Sequence, residues 1–163
     1  MPVAYINIGS NQGDRRANIA HAVALITDKL HVKPSVSTIV ESEPWGYASA
    51  LPYLNVGVAF DTTLSPVELL DRLLSIERSI SPAPHRTADG TYADRIIDID
   101  LIACDNVVLN EATTPGGDVL TLPHPRMHLR TFVLGPMAEL APTWVHPQLK
   151  LTSRELLAAI AGG

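Results

Sequence analysis

Basic residues are scarce in this chain of 163 residues, where 12 lysines and arginines face 17 aspartates and glutamates for a formal charge of −5. Broad nucleic-acid binding depends on basic surface that displaces counterions, so that class is not expected. A small phosphorylated ligand needs only a few local cations and stays open. Cysteine is nearly absent as well: Cys104 alone cannot close an internal disulfide. The opening run Met1-Pro2-Val3-Ala4-Tyr5 lacks the basic and apolar regions of an export signal, and no apolar run approaches the length that spans a bilayer. The expectation is a cytoplasmic enzyme of one domain over residues 1–163, a monomer with small-molecule substrates and no nucleic-acid or membrane partner. Repeats and low-complexity tracts are missing too, apart from a small-residue tail at Ala158–Gly163.

What is present is sharper. Arg95-Ile96-Ile97-Asp98-Ile99-Asp100-Leu101-Ile102 is a β-branched run broken only by two carboxylates two residues apart. Side chains alternate along a strand, so Asp98 and Asp100 share one face while Ile97, Ile99 and Leu101 share the other. Adjacent like charges on an apolar strand are unfavourable unless a cation lies between them. A hard, oxygen-seeking divalent ion, Mg²⁺ with a phosphate substrate, fits best. A wet sheet face also tolerates Asp, and from this motif alone the two readings are evenly matched.

Val3–Ile8 reads as a buried strand ended by Gly9-Ser10-Asn11-Gln12-Gly13, and Asp14 can cap a helix with the stripe Ile19, Ala22, Val23, Ile26 and Leu30. Val36–Val40 is a second strand, a loop runs from Glu41 to Tyr47, and Tyr53–Phe60 is a third strand. Ser65-Pro66-Val67-Glu68 opens a second helix with a capping box and a proline at its first position. Prolines 82 and 84 force a loop through Gly90 before the acidic strand. A short strand near Val107–Leu109 is expected to pair back across Asp105-Asn106, with helices around Arg126–Glu139 and Ser153–Ile160. This order predicts an α+β, ferredoxin-like antiparallel sheet, with helices on one face and long substrate-binding loops on the other. Cys104 reads as core packing.

Tyr53 and Asn55 lie two apart and share a strand face, where an aromatic plate beside an amide suits a flat heterocycle. Trp45-Gly46 offers a second wall and a close backbone approach. In Leu122-Pro123-His124-Pro125-Arg126 and Arg130-Thr131-Phe132, the histidine and Arg130 could contact phosphates and the phenylalanine could stack on a ring. Taken singly, each of these residues is better explained by ordinary core or surface packing.

Together the segments resemble one family, the 6-hydroxymethyl-7,8-dihydropterin pyrophosphokinases. The resemblance rests on Ala4-Tyr5-Ile6-Asn7-Ile8-Gly9-Ser10-Asn11, Pro44-Trp45-Gly46, Tyr53-Leu54-Asn55, Ile76-Glu77, Arg95 through Leu101, Pro123-His124 and Arg130-Thr131-Phe132. It implies a ferredoxin-like fold and transfer of pyrophosphate from ATP to the pterin's hydroxymethyl oxygen in folate biosynthesis, leaving AMP. It further implies two Mg²⁺ ions on Asp98 and Asp100, with Arg95 as a third catalytic residue. The pterin would meet Ser42, Trp45, Gly46, Tyr53, Asn55 and Phe132, and ATP would meet Glu77, Arg95, Leu101, Thr121, His124 and Arg130. This chain departs from the family's Gly-Arg-x-Arg lid segment, having Ser81-Pro82-Ala83-Pro84, with His85 or Arg86 as shifted substitutes. Val119 also stands where an arginine is common. The prolines predict a stiffer lid. Two other readings remain at this point: a pterin- or nucleotide-binding module with a decayed lid, and a palm-like metal-dependent nucleotidyl transferase.

Overall fold

The structure, a computed structural model, describes residues 2–42, 52–81 and 96–161. In chain order the elements are β1 (Val3–Ser10), α1 (Arg15–Leu30), β2 (Ser35–Val36), β3 (Val40–Ser42), β4 (Tyr53–Asp61), α2 (Pro66–Ile80), β5 (Asp98–Cys104), β6 (Leu109–Thr113), β7 (Val119–Leu122), a 3-10 turn at Met127–Leu129, α3 (Thr131–Leu140) and α4 (Ser153–Ala161). No helix among the described residues is long and apolar enough to cross a membrane.

The main sheet runs β2-β4-β1-β5, with β3 also paired to β4, and every pairing is antiparallel. With β2 and β3 counted as one interrupted strand, this is the ferredoxin-like order expected from the sequence. The interruption has a local cause. Ser37 N–H donates to Gly57 O at 2.9 Å, and Ser37 Oγ accepts from Gly57 N–H at 2.8 Å. A side chain thus replaces one rung of the ladder, and the strand expected over Val36–Val40 splits in two.

Alternation divides the sheet cleanly. Ala4, Ile6 and Ile8 of β1, Leu54, Val56, Val58 and Phe60 of β4, and Ile99 and Leu101 of β5 bury one face. Against it pack Ile19, Ala22 and Ile26 of α1 and Leu69, Leu70, Leu73 and Ile76 of α2. Each such aliphatic side chain contributes about 1.5–3 kcal/mol on burial. Both helices start where the sequence places them. Asp14 accepts from Ala17 N–H at 3.1 Å, and Ser65 and Glu68 exchange the two bonds of a capping box. Cys104 is buried in this core, and burial pushes its thiol up to about 11, so it is packing.

The α+β class stands, and the second face, expected to carry only loops, carries helices at one end. The β1–β5 register shifts between Tyr5 and Ile6, leaving Ile102 as an extra residue opposite them. This bulge turns both Ile102 and Ala103 toward the second face. There they form a separate core with Met127, Val133, Leu134, Met137 and Leu156, so α3 and α4 cover it. The strand expected near Val107–Leu109 begins at Leu109 and pairs with β7 instead of the acidic strand. The pairing follows the tight turn Thr114–Asp118, where Gly117 takes a φ of +90° that favours glycine.

Replacing the capping serine, Ser65→Ala, removes the acceptor for Glu68 N–H. It is expected to lower unfolding free energy by about 0.5–2 kcal/mol in urea titration, with the slope unchanged.

Candidate active site

The antiparallel register assembles the second face from three strands. Gly9 of β1 lies between Asn55 of β4 and Asp98 of β5, and one pleat further Asn7 lies between Gly57 and Asp100. All six project to the same side, opposite the α1–α2 core. Neighbouring strands are about 4.8 Å apart, so Asn55 and Asp98 stand roughly 10 Å from each other across a glycine. That glycine leaves the space in which Asn55 and Tyr53 sit. A Cβ at Gly9 would come 2.9 Å from Asn55 Oδ1 and 3.2 Å from Tyr53.

On the β4 side the amide is oriented. Asn55 is buried, and its Nδ2 donates to Ser42 Oγ at 2.8 Å, which leaves its carbonyl oxygen over Gly9. Tyr53 is half-buried beside it. Arg15 donates to Pro52 O at 2.9 Å and so ties the start of α1 to the chain entering β4. Phe132 reaches this face from the first turn of α3, with the Arg130 guanidinium 5.6 Å from its ring centroid. Ser42, Tyr53, Asn55 and Phe132 are therefore on the sheet face that also carries the acid pair, or over it. Trp45 and Gly46 lie outside the described residues.

On the β5 side an open cleft of about 370 Å³ is lined by Glu77, Asp98, Asp100, Leu101, Thr121 and His124, together with Leu70, Leu74 and Val119. Four of the residues assigned to the nucleotide by resemblance are thus gathered in one place. Arg130 precedes α3 as its N-cap residue and does not line the cleft, while Arg95 and the lid from Pro82 through Tyr92 lie outside the described residues. Leu101 points its side chain into the first core, so what it offers the cleft is main chain. Glu77 is buried at the end of α2, and its Oε2 accepts from Ile99 N–H at 2.8 Å, fastening the outer edge of β5 between the two aspartates. Thr121 Oγ1 accepts from Glu111 N–H at 3.3 Å.

The sequence reading missed Leu70 and Leu74 as cleft walls. Their spacing of four, with Glu77 three further on, places all three on one helix face. It also missed the service of Asn7 and Gly9 to this face.

His124 is fixed from both sides. Its N–H donates to Ile102 O at 2.8 Å, the bulged residue of β5, and its Nδ1 accepts from Arg126 N–H at 3.2 Å. Burial first, then the charges of Arg130 and Arg126, push its imidazole down to about 4. At neutral pH the ring is uncharged and carries its proton on Nε2, an uncharged donor on a residue that lines the cleft.

Asp98 and Asp100 offer hard oxygen donors from adjacent pleats beside an open cleft. Among the described residues no three His, Cys, Asp or Glu side chains form a closed metal cage. A pair is the number that suits Mg²⁺, which keeps waters and takes its remaining ligands from a substrate's phosphates.

The family model described as 7,8-dihydro-6-hydroxymethylpterin-pyrophosphokinase (HPPK) matches residues 5–142. The 2-amino-4-hydroxy-6-hydroxymethyldihydropteridine pyrophosphokinase of Porphyromonas gingivalis is 35% identical over 148 residues, covering 91% of this chain and 96% of its own length. The enzyme of the same name from Bacillus subtilis is 36% identical over 139 residues, covering 85% and 77%. Among solved structures, Plasmodium falciparum HPPK-DHPS with pteroate superposes with a TM-score of 0.76 at 14% identity, over 99% of this chain and 42% of that one. That last likeness is one of fold, and this chain spans less than half of that protein.

A depressed histidine binds its proton in the unfolded chain before it does in the folded one. Stability is therefore expected to be insensitive to His124 above pH 6.5 and to fall as pH drops from 6.5 through 4. Nitrogen-detected NMR of the ligand-free chain should show a midpoint near 4 with the proton on Nε2. In Arg130→Gln the midpoint should move toward 6.5.

Proposed function

The chain belongs to the 7,8-dihydro-6-hydroxymethylpterin-pyrophosphokinase family and is a pyrophosphokinase of folate biosynthesis; from that premise we propose how its residues divide the reaction. The acceptor is 6-hydroxymethyl-7,8-dihydropterin and the donor is ATP, whose β- and γ-phosphates move together to the hydroxymethyl oxygen while AMP leaves.

One observation carries this reading. Asp98 and Asp100 stand on a common face between the Tyr53–Asn55 side of the sheet and the cleft walled by α2 and β7. A flat heterocycle on the β4 side and a triphosphate on the β5 side would meet over the acid pair. Asn55 would read the heterocycle's hydrogen-bonding edge with its carbonyl, and its amide is already held by Ser42. Tyr53 and Phe132 would bound the ring, and the family resemblance assigns Trp45 and Gly46 to the same ligand. On the other side Leu70 and Leu74 would border the nucleoside and the Leu101 main chain its edge. Thr121 and neutral His124 would donate to phosphate oxygens, while Arg130 and Arg95 would supply the positive charge.

Asp98 and Asp100 would hold Mg²⁺, two ions by family resemblance. Bound there, the metal supplies charge neutralisation of the triphosphate and of the attacking and leaving oxygens. The rest is alignment by the chain itself. Glu77 fixes Ile99 and so the spacing of the two carboxylates along β5. No side chain need act as a strong base, because phosphoryl chemistry of this kind is dominated by positioning and electrostatics.

AMP formation from ATP and 6-hydroxymethyl-7,8-dihydropterin tests the proposal. Turnover is expected only with pterin and Mg²⁺ present together. Asp98→Asn and Asp100→Asn should each lower kcat by at least about a hundredfold, the effect of losing several kcal/mol of charge stabilisation. AMP release that survives chelation, or ADP as the product, would overturn it. Pterin binding without AMP would move the case to a binding module.

A further inference from the structure

Helix α3 contains a proline whose effect falls on a single carbonyl. Pro136 has no N–H, and it is the residue four beyond Phe132, so the Phe132 carbonyl cannot receive the helical hydrogen bond from that position. The donor comes from the sheet. Asn7, only 4% exposed and one of the buried polar residues of β1, donates from Nδ2 to Phe132 O at 2.9 Å. The contact joins residues 125 apart. The same proline fits against the neighbouring strand at a place where side-chain volume is missing. A Cβ at Gly57, which pairs with Asn7, would come within 2.7 Å of Pro136 Cβ.

The bond attaches at the residue whose ring is read above as a wall of the pterin site. The rest of α3 is held by other means. Its body rests on Gly57 through Pro136, and its far end is tied down by Glu139, which accepts from Thr38 N–H at 2.7 Å and Thr38 Oγ1 at 2.9 Å. Arg130, just before the helix, is held separately by its N–H to Met127 O at 3.3 Å. Val133 N–H and Leu134 N–H donate to Arg130 O, and both side chains are buried, so loss of the Asn7 bond acts on the Phe132 carbonyl and little else.

We infer that Asn7 is a positioning residue for the pterin: by supplying the donor that Pro136 withholds, it fixes the height of the Phe132 ring over the sheet. The inference rests on the reading that Phe132 bounds the pterin. Asn7 touches no substrate in this scheme and acts through Phe132 alone.

Initial rates with 6-hydroxymethyl-7,8-dihydropterin and ATP, each varied in turn, test it. Asn7→Leu keeps the branched heavy-atom skeleton and removes the donor. The pterin KM is expected to rise about five- to tenfold, the effect of one lost buried hydrogen bond, with the ATP KM within about twofold of the parent. Pro136→Ala returns an N–H to the position from which Phe132 O can be served. In that background Asn7→Leu should shift the pterin KM by less than about twofold, a rescue that general loosening of the fold would not produce. An unchanged pterin KM in Asn7→Leu, a parallel rise in both KM values, or no rescue by Pro136→Ala would each overturn the inference. Phe132→Ala separates this from the underlying reading. If it leaves the pterin KM unchanged, the placement of Phe132 fails and the inference with it. If it raises the pterin KM while Asn7→Leu does not, the inference alone fails. Should Asn7→Leu not fold, Asn7→Ser gives the same comparison, because a serine hydroxyl on β1 falls short of the carbonyl.

Discussion

The register of β5 against β1 is the constraint on which the site depends. With Ile99 opposite Ile8, the aliphatic residues of both strands meet α1 and α2, and Asp98 and Asp100 emerge together beside Gly9 and Asn7. A slip of one residue would exchange the faces. Both carboxylates would then enter a core of leucine, isoleucine and valine, at several kcal/mol for each unpaired charge. The alternation that hides the isoleucines is thus the same fact that presents the acids, and folding selects the proposed metal-binding arrangement without any separate device. Glu77 reinforces it from the outer edge by accepting from Ile99 N–H, the backbone position between the two aspartates.

Beyond Leu101 the constraint is deliberately broken. The bulge at Ile102 ends the alternation and sends two consecutive apolar residues to the face that carries the acids one pleat earlier. The second face therefore changes character along its length, from polar at Gly9, Asn55 and Asp98 to apolar at Ala103 and Tyr5. The covering helix, α3, ends over this boundary, which is where Phe132 and Arg130 are delivered. The bulge serves the cleft as well, since Ile102 O receives His124 N–H. One inserted residue thus sets the limit of the open site and the position of two segments that border it.

This accounts for what could be read in the sequence and what could not. The acid pair, the Tyr53–Asn55 pair and both capped helices were legible because each depends on a period of two or on residues within one turn. The breaks were not. Nothing local in Val36–Val40 announces that Ser37 Oγ would accept from Gly57 N–H, nor does the run Asp98–Cys104 mark where its extra residue falls. The pairing of β6 was misjudged because two turn signals competed. Asp105-Asn106 is indeed a turn, with Asp105 at a φ of +46° and its carboxylate accepting from Val3 N–H. It redirects the chain, however, and the hairpin closes at Thr114–Asp118. Asn7 was hidden for a deeper reason, since its partner is made available by a proline more than a hundred residues away. The family resemblance named the site residues, but it carried no information about which side chains hold them in place.

The electrostatics of the cleft follow from the same economy of local contacts. A chain with a net charge of −5 repels a polyanion at long range, so attraction must come from cations within a Debye length of the phosphates, about 8–10 Å. Arg126 and Arg130 are close enough to His124 to help hold its imidazole neutral. Three positive charges in that small volume would be costly without a ligand, and leaving one ring uncharged lowers that cost. The ring still offers a hydrogen-bond donor. On the reading proposed above, a neutral donor would give direction to an incoming phosphate oxygen while Arg130 would give strength, and the division keeps the ligand-free site compatible with a stable fold.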